Sequence, residues 1–303
     1  MSLQTRIFRL SRAQFLPVIL SPILVGSVLA WWTDRTFNFL TFALVVLGSI
    51  TAHLASNTID DTYDYASGVD VVSNNMFPPD FGGWKVLPRG LMTLGQAKMI
   101  AYLFFSVTIV VGLYLTIVAG PLVLLLGVIG IFFAYFHVAP PLKLGYRGLG
   151  LSEIGIFLSF GVLPVVGSFY VQSSYLSVQS IISGIPLGLL TTCVLINHDQ
   201  IFYEPYLKAG KKSFTVTVGR KPAITTALIL TALSYATVLV AVVGKLMPIT
   251  TLIILLTLPL FVKQVRLYST PAQSPLHYVK LTQTTFTLSV IFGVLLALGL
   301  AIG

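Results

Sequence analysis

Uncharged apolar runs recur along the whole chain, and each is close to the roughly 20 residues that a helix needs to cross the hydrocarbon core of a bilayer. Polar segments and short connectors containing glycine, proline and serine separate these runs. The pattern therefore predicts an all-α polytopic membrane protein, a bundle of nine transmembrane helices forming one domain over residues 1–303. The predicted spans lie near residues 15–33, 38–57, 97–118, 120–138, 151–172, 177–198, 221–243, 246–266 and 279–301.

The composition agrees with this interpretation. Hydrophobic residues make up 56% of the chain and charged residues only 9%, whereas a soluble domain has about 25% charged residues. The single cysteine, Cys193, lies in an apolar run, so a disulfide framework or a cysteine metal cage within one chain is excluded. A water-soluble protein is excluded as well.

Basic residues are distributed unevenly between alternate connectors. If the N-terminus is cytoplasmic, all of the 18 lysines and arginines except Arg35 and Lys245 lie on the cytoplasmic side. This asymmetry follows the positive-inside rule for membrane proteins. The net charge of +9 is thus explained by topology in the cell membrane, and it does not indicate a nucleic-acid partner.

Acidic residues are scarce and concentrated. Of the nine in the chain, six follow the second or the sixth predicted span: Asp60, Asp61, Asp64, Asp70, Asp199 and Glu204. Both segments are cytoplasmic in the predicted topology. The segment from Asn57 to Asp64 has spacings of i, i+3, i+4 and i+7, which put Asn57, Asp60, Asp61 and Asp64 on one face of a continuing helix.

Crowded carboxylates at the end of an apolar span need a positive partner, and ionisable groups at membrane depth are candidates for function. Oxygen ligands suit Mg²⁺, which often binds one or two carboxylates together with substrate phosphates. The run therefore predicts a magnesium site that binds a diphosphate. The simpler alternative is a solvated acidic helix end.

Two basic connectors lie on the same predicted face as the carboxylates. One contains Lys85 and Arg89, and the other, residues 140–150, contains Lys143 and Arg147. Such side chains hold phosphate oxygens by charge-assisted hydrogen bonds and stabilise a departing pyrophosphate. Topological charge alone explains single residues equally well, and the cluster Lys208, Lys211 and Lys212 suits anionic lipid head groups equally well.

With these motifs the chain resembles the UbiA superfamily of intramembrane aromatic prenyltransferases, nearly from end to end. Asn57, Asp60, Asp61 and Asp64 match the first acidic motif of that family. Residues 65–70 and 89–93 are similar to the branch of 1,4-dihydroxy-2-naphthoate polyprenyltransferases of menaquinone synthesis. Residues 140–150 and 208–213 look like the family's loop after span four and the end of its second acidic motif.

The second motif departs from the family pattern. Carboxylates usually stand eight and four residues before the glycine that aligns with Gly210, and this chain has Phe202 and Tyr206 there. Either Asp199 and Glu204 supply metal ligands from shifted positions, or the protein uses a different second site. Asn197 and His198 are then hydrogen-bonding candidates, because Mg²⁺ prefers oxygen to imidazole.

The resemblance implies Mg²⁺-dependent transfer of a prenyl group from a prenyl diphosphate to an aromatic or other lipid-precursor acceptor in the membrane, with release of pyrophosphate. The implied metal ligands are Asp60, Asp61, Asp64, Asp199 and Glu204. The implied catalytic residues are Asp61, Asp64, Asp199, Lys143 and Arg147. The implied substrate-binding residues are Asn57, Lys85, Arg89, Lys143, Tyr146, Arg147, Asn197 and His198.

Two alternatives remain open at this point. The same fold could act on a glycerol-phosphate-type acceptor, as in archaeal lipid synthesis. An ion-coupled transporter also places carboxylates at the edge of a membrane, although the sequence lacks the inverted repeat of interrupted helices that such folds show.

Overall fold

The computed structural model describes residues 1–77, 86–270, 272 and 274–303, and helices account for most of this part of the chain. In chain order they are α1 (Leu3–Leu10), α2 (Pro17–Asp34), α3 (Phe39–Ala66), α4 (Val69–Met76), α5 (Leu94–Ala119), α6 (Leu122–Phe136), α7 (Leu151–Phe157), α8 (Leu163–Ser173), α9 (Val178–Ile201), α10 (Tyr203–Ala209), α11 (Phe214–Val218), α12 (Arg220–Val243), α13 (Leu258–Ser269) and α14 (Pro275–Ala301).

Within the described residues, eight helical stretches are long and apolar enough to cross a membrane. Three of them combine elements: a 3₁₀ turn, Ala13–Phe15, precedes α2, a π-helical turn, Leu158–Val162, joins α7 to α8, and a 3₁₀ segment, Ile249–Thr257, leads into α13. The one remaining predicted span, near residues 120–138, corresponds to α6, which has only 15 residues. The all-α polytopic architecture is confirmed, with eight long helices and one short one.

The best-buried helix is α9, which packs against α2, α12 and α14. Phe169, Leu187, Leu190 and Phe292 belong to the largest apolar cluster between these elements and are at most 1% exposed. Since lipid tails are as apolar as leucine, such packing depends on close fit rather than on exclusion from water. Small residues provide that fit where α9 crosses the π-helical turn.

Helix α3 continues nine residues beyond the predicted end of its span, so the acidic run is part of the helix. The helix ends at Ser67, and Gly68 follows with φ +80°, a left-handed conformation that favours glycine. The chain then turns directly into α4. The carboxylates are thereby fixed on a rigid element instead of a loop.

Three connectors meet at the acidic end of α3. Arg12, in the left-handed region at φ 51°, lies between α1 and α2. The connector after α6 approaches the connector after α10 through a backbone bridge between Arg147 and Lys212. These turns bring basic side chains from three parts of the sequence towards one group of carboxylates.

Candidate active site

The acidic run of α3 is neutralised by side chains that lie far away in sequence. The Nη2 atom of Arg12 lies 3.0 Å from Asp60 Oδ2 and also donates a hydrogen bond to Asp61 Oδ1. Lys211 Nζ lies 2.7 Å from Asp64 Oδ2, and the hydroxyl of Tyr146 donates to Asp64 Oδ1 over 2.5 Å. The carboxylates of Asp61 and Asp64 are nearly inaccessible, with those residues 5% and 3% exposed.

Both basic partners stay charged at neutral pH. Burial by itself lowers the pKa of Arg12, but the carboxylates of Asp61 and Asp60 outweigh it and raise that pKa above its ordinary value. Burial acts in the same direction on Lys211, and Asp64 and Asp60 again raise the pKa. The site is therefore a network of fixed opposite charges.

Lys211 lies in an aromatic cage. Its Nζ is 4.5 Å from the centroid of the Tyr206 ring and 4.9 Å from that of Tyr146, and the residue is 4% exposed. Phe202 stacks on Tyr206 with ring centroids 5.6 Å apart and planes at 19°. A cation over two desolvated ring faces gains electrostatic stabilisation from both. The two aromatic residues that replace the expected carboxylates thus contribute to the environment of an ammonium group.

A cavity of about 770 Å³ opens from this network into the helix bundle. Its polar end is lined by Arg12, Asn57, Asp60, His137, His198, Asp199, Tyr206 and Lys211. Its remaining wall consists mostly of apolar residues of α3, α5, α6 and α8, and along α3 it runs from Leu44 to Asp60, which corresponds to about 24 Å of helix. A charged mouth joined to a long apolar pocket suits an amphiphile with an anionic head.

His137 contributes an imidazole at the mouth. Its Nε2 lies 3.9 Å from Asp60 Oδ1, and its Nδ1 lies 3.1 Å from the hydroxyl oxygen of Ser152. The imidazole thus lies between the acidic run of α3 and the first turn of α7.

The other predicted residues of the first motif and of the connector after α6 differ in their hydrogen-bond partners and exposure. Asn57 lines the cavity and donates from Nδ2 to Ser11 O over 3.0 Å. Lys143 donates to the hydroxyl of Ser67, 3.3 Å away, at the end of α3. Arg147 is exposed and donates to Leu142 O within its own connector.

The structure describes only one of the two residues predicted from the first basic connector. Arg89 is half-buried and does not line the cavity. Lys85 lies outside the described residues.

The predicted residues of the second motif separate. Asp199, 4% exposed, and the neighbouring His198 both line the cavity, with His198 Nδ1 3.9 Å from Asp199 Oδ1. Asn197 instead accepts from the hydroxyl of Tyr268 over 2.5 Å and donates to Thr285, which holds it against α13 and α14. Glu204 is largely exposed and faces Arg220, 3.5 Å away.

The oxygen ligands at the cavity favour a metal ion that is bound partly by the protein and partly by substrate, rather than one bound by protein side chains alone. Within the described part of the chain, no three or more His, Cys, Asp or Glu side chains are grouped closely enough to hold a metal ion. Asn57 and Asp60 nevertheless present oxygen atoms at the cavity mouth, and Mg²⁺ commonly completes its shell with phosphate oxygens and water. The first motif fits such an ion. The second does not, because Asp199 is its only carboxylate at the cavity.

Several cavity residues were not predicted from the sequence as parts of a site: Arg12, His53 and His137. Tyr206 was named there only as a residue that replaces a carboxylate of the second motif. Lys211 was named as part of the segment similar to that motif and of a cluster that suits anionic lipid head groups equally well. Their positions depend on how distant connectors fold, which spacing along the chain does not reveal. The sequence did contain a signal for Lys211. Aromatic residues replace two carboxylates of the second acidic motif, so the lysine beside them lies in a segment with less negative charge than the family pattern has.

The fold and the site define an intramembrane helical protein with a cavity that joins a charged mouth to a long apolar wall. The family model of the UbiA prenyltransferase family matches residues 19–281. The chain therefore belongs to the UbiA prenyltransferase family, and it is an intramembrane prenyltransferase.

Similar proteins agree with this assignment. The 1,4-dihydroxy-2-naphthoate octaprenyltransferase of Bacillus subtilis is 24% identical over 300 residues, covering 98% of this chain and 92% of that protein. A UbiA homologue from Archaeoglobus fulgidus, solved with DMAPP and Mg²⁺, has the same fold with a TM-score of 0.65 at 17% identity, covering 96% and 99% of the two chains. A structure of digeranylgeranylglyceryl phosphate synthase also gives a TM-score of 0.65, at 19% identity over 100% of both chains.

Proposed function

We propose that this chain uses Mg²⁺ to transfer a prenyl group from a prenyl diphosphate to an aromatic acceptor of the 1,4-dihydroxy-2-naphthoate type, releasing pyrophosphate. The observation that carries the proposal is the single cavity that joins Asn57, Asp60 and Lys211 to a long apolar wall. The diphosphate binds at the charged mouth, and the isoprenoid tail occupies the apolar part. The similarity to the Bacillus subtilis enzyme supports the acceptor class.

In this mechanism the diphosphate head is held by residues on opposite sides of the mouth. Asn57, Asp60, Asp61 and Asp64 would hold Mg²⁺, which would neutralise charge on the phosphate oxygens when bound. Arg12 keeps Asp60 and Asp61 in place through its two ion pairs. Lys143 and Arg147 are proposed to contribute positive charge to the leaving pyrophosphate from the connector after α6.

The reaction breaks the bond between the allylic carbon and the diphosphate oxygen and forms a new bond from that carbon to the acceptor. The acceptor loses a proton at the position that becomes prenylated. Asp199 is the proposed base, because it is buried and lines the cavity, whereas Glu204 points away towards Arg220.

The asymmetry of basic residues supports a cytoplasmic N-terminus and an active site at the cytoplasmic face. The acidic end of α3 is on the same predicted side as the connectors that carry Lys143, Arg147 and Lys211. A diphosphate made in the cytoplasm then reaches the mouth without crossing the bilayer.

The test uses the full chain purified in detergent with geranylgeranyl diphosphate and Mg²⁺. The naphthoate, 4-hydroxybenzoate and a glycerol-phosphate lipid are offered separately, and products are identified by mass spectrometry together with released pyrophosphate. We expect prenylated naphthoate, and no product after EDTA treatment until Mg²⁺ is restored. Product from the glycerol-phosphate lipid alone would overturn the acceptor class. An absence of pyrophosphate release with every acceptor would overturn the proposed reaction.

A further inference from the structure

The cavity mouth carries charges of both signs. Asp60 of the acidic run of α3 lines it, and so does Lys211, whose ammonium group is paired with Asp64 of the same run. An ammonium group has three donors, and within the described structure Lys211 donates one hydrogen bond, to Asp64. The rest of its surroundings are the ring faces of Tyr146 and Tyr206. Aromatic rings attract the ammonium charge, but they do not accept its N–H groups in strong hydrogen bonds as oxygen atoms do.

Carboxylates that would bind a metal ion on the Lys211 side are scarce. Asp199 is the only acidic residue of the α9–α10 segment at the cavity, and Glu204 is paired outside it. Phe202 and Tyr206 are buried and stacked on each other. A divalent ion on this side would have Asp199 as its one protein carboxylate, whereas an ion at the acidic run has Asn57 and Asp60 at the cavity, with Asp61 and Asp64 on the same helix.

We propose that Lys211 binds the diphosphate of the prenyl substrate directly, so that the loaded enzyme holds one divalent ion at the acidic run and a fixed ammonium group supplied by the connector after α10. The inference rests on the proposed function and concerns how the same site neutralises its substrate. When the diphosphate enters, Lys211 shares its remaining donors with phosphate oxygens. Asp64 then has an oxygen available to the ion held by the acidic run.

The test counts metal ions by using Mn²⁺ and a geranylgeranyl thiolodiphosphate that is not turned over. We expect one Mn²⁺ per chain in the ternary complex, with an electron paramagnetic resonance spectrum that lacks coupling between two manganese ions. Two coupled ions bound per wild-type chain would overturn the proposal.

Substitution of the lysine provides a second readout. Lys211→Gln should weaken binding of the thiolodiphosphate about tenfold to a hundredfold, the loss of one charge-assisted hydrogen bond. Lys211→Arg should restore much of the affinity. The matched control is Lys208→Gln, which removes the same charge from an exposed position of α10 and should bind like the wild type.

Loss of Lys211 leaves Asp64 without its ion-pair partner, so the double variant Asp64→Asn/Lys211→Gln is measured beside Asp64→Asn alone. Weaker binding in the double variant supports a direct contact, and equal binding in the two overturns it. If wild-type protein binds no thiolodiphosphate with any metal, the proposed function itself fails. That outcome is distinct from normal binding with two ions, which removes only the role of Lys211.

A second, independent observation concerns the apolar part of the cavity. The imidazole Nδ1 of His53 and the hydroxyl of Ser159 are buried there and make no hydrogen bond with any residue that the structure describes. Both residues line the cavity, and the His53 ring meets Phe160, the neighbour of Ser159, at 5.0 Å in an edge-to-face contact. Buried polar atoms without partners are costly, so two in one cavity wall indicate a ligand with polar atoms.

We infer that His53 and Ser159 bind a hydroxyl or carboxyl group of the acceptor. His53 precedes Asn57 by one helical turn on α3, about 6 Å deeper in the bundle. An aromatic ring bound at this depth would lie beside the allylic carbon, the first carbon of the isoprenoid tail after the diphosphate. Ser159 belongs to the π-helical turn between α7 and α8, a kind of distortion that often occurs at functional sites.

The test separates the two substrates kinetically and by binding. His53→Phe and Ser159→Ala should each raise KM for the naphthoate about threefold to tenfold, the loss of one hydrogen bond, and leave KM for the prenyl diphosphate unchanged. Calorimetric binding of the naphthoate should weaken equally. Ser168→Ala is the matched control, because its hydroxyl lines the same cavity but already donates to Pro164 O. An unchanged acceptor KM, or equal changes for both substrates, would overturn the inference.

Discussion

Asp64 is surrounded by donors, and this determines what its substitution does. Lys211 and Tyr146 both donate hydrogen bonds to its carboxylate, so the residue links α3 to the connectors after α6 and α10. Removing one member of a buried ion pair is far more harmful than replacing both, because a charge is left without compensation. Comparing different substitutions of Asp64 therefore separates its effect on the stability of the protein from its effect on the reaction.

We expect Asp64→Ala to lower the free energy of unfolding by about 3–5 kcal/mol, since Lys211 remains buried and unpaired. Asp64→Asn keeps the shape and a hydrogen-bond acceptor and should cost less. Both variants should lose turnover. Thermal unfolding in detergent and pyrophosphate release measure the two effects, and a stable Asp64→Ala protein with wild-type turnover would remove Asp64 from the site.

The two acidic residues of the second motif should behave differently. Asp199→Asn should lower kcat by about 10²-fold or more if the residue removes the acceptor proton. Glu204→Gln is the matched control, because its carboxylate is exposed beside Arg220, and it should retain activity within about twofold, as exposed ion pairs contribute little. Equal losses in both variants would contradict the assignment of Asp199.

At the scale of elements, the site depends on the close crossing of α9 with the π-helical turn. Gly161, Gly184 and Gly188 meet there, and a Cβ atom added at Gly161 would clash with the backbone of Gly188 and Gly184. The crossing holds α9, which carries His198 and Asp199, against the cavity wall. A larger residue would push the two segments apart.

We therefore expect Gly161→Ala to destabilise the protein by about 1–3 kcal/mol through overpacking and to reduce activity indirectly. Gly95→Ala is a matched helical control, because its added Cβ would meet only Thr93 Oγ1, at 3.9 Å, and it should be neutral or slightly stabilising. Melting temperatures in one detergent measure both. If Gly161→Ala melted at the same temperature as Gly95→Ala, α9 and the π-helical turn would be able to move apart without loss of stability, which would contradict the prediction.

At the scale of the whole molecule, orientation in the membrane determines which compartment supplies the substrate. The chain has one cysteine, Cys193, which is buried, so introduced cysteines can be labelled against a low background. We expect an impermeant maleimide added to intact cells to label Lys245→Cys, while Lys208→Cys reacts only after the membrane is opened. The reverse pattern would place the active site on the outer face.

The sequence alone determined much of the architecture. Apolar runs and their lengths predicted the eight long helical stretches of the bundle and the shorter helix α6, because a helix satisfies its backbone hydrogen bonds within its own segment, as lipid requires. Helical spacing likewise predicted a common face for Asn57, Asp60, Asp61 and Asp64, and the structure confirms that these residues lie on one continuous helix. These features depend on local periodicity, which a sequence displays directly.

Only the tertiary structure decided which charges meet. Arg12 and Lys211 reach the carboxylates of α3 from 49 and 147 residues away, and Glu204 turns outward although it lies only five positions after Asp199. The directions of those side chains depend on left-handed turns, on the crossing of α9 and on the packing of connectors, none of which has a repeating signature along the chain. The charge balance of the site is thus a property of the folded bundle.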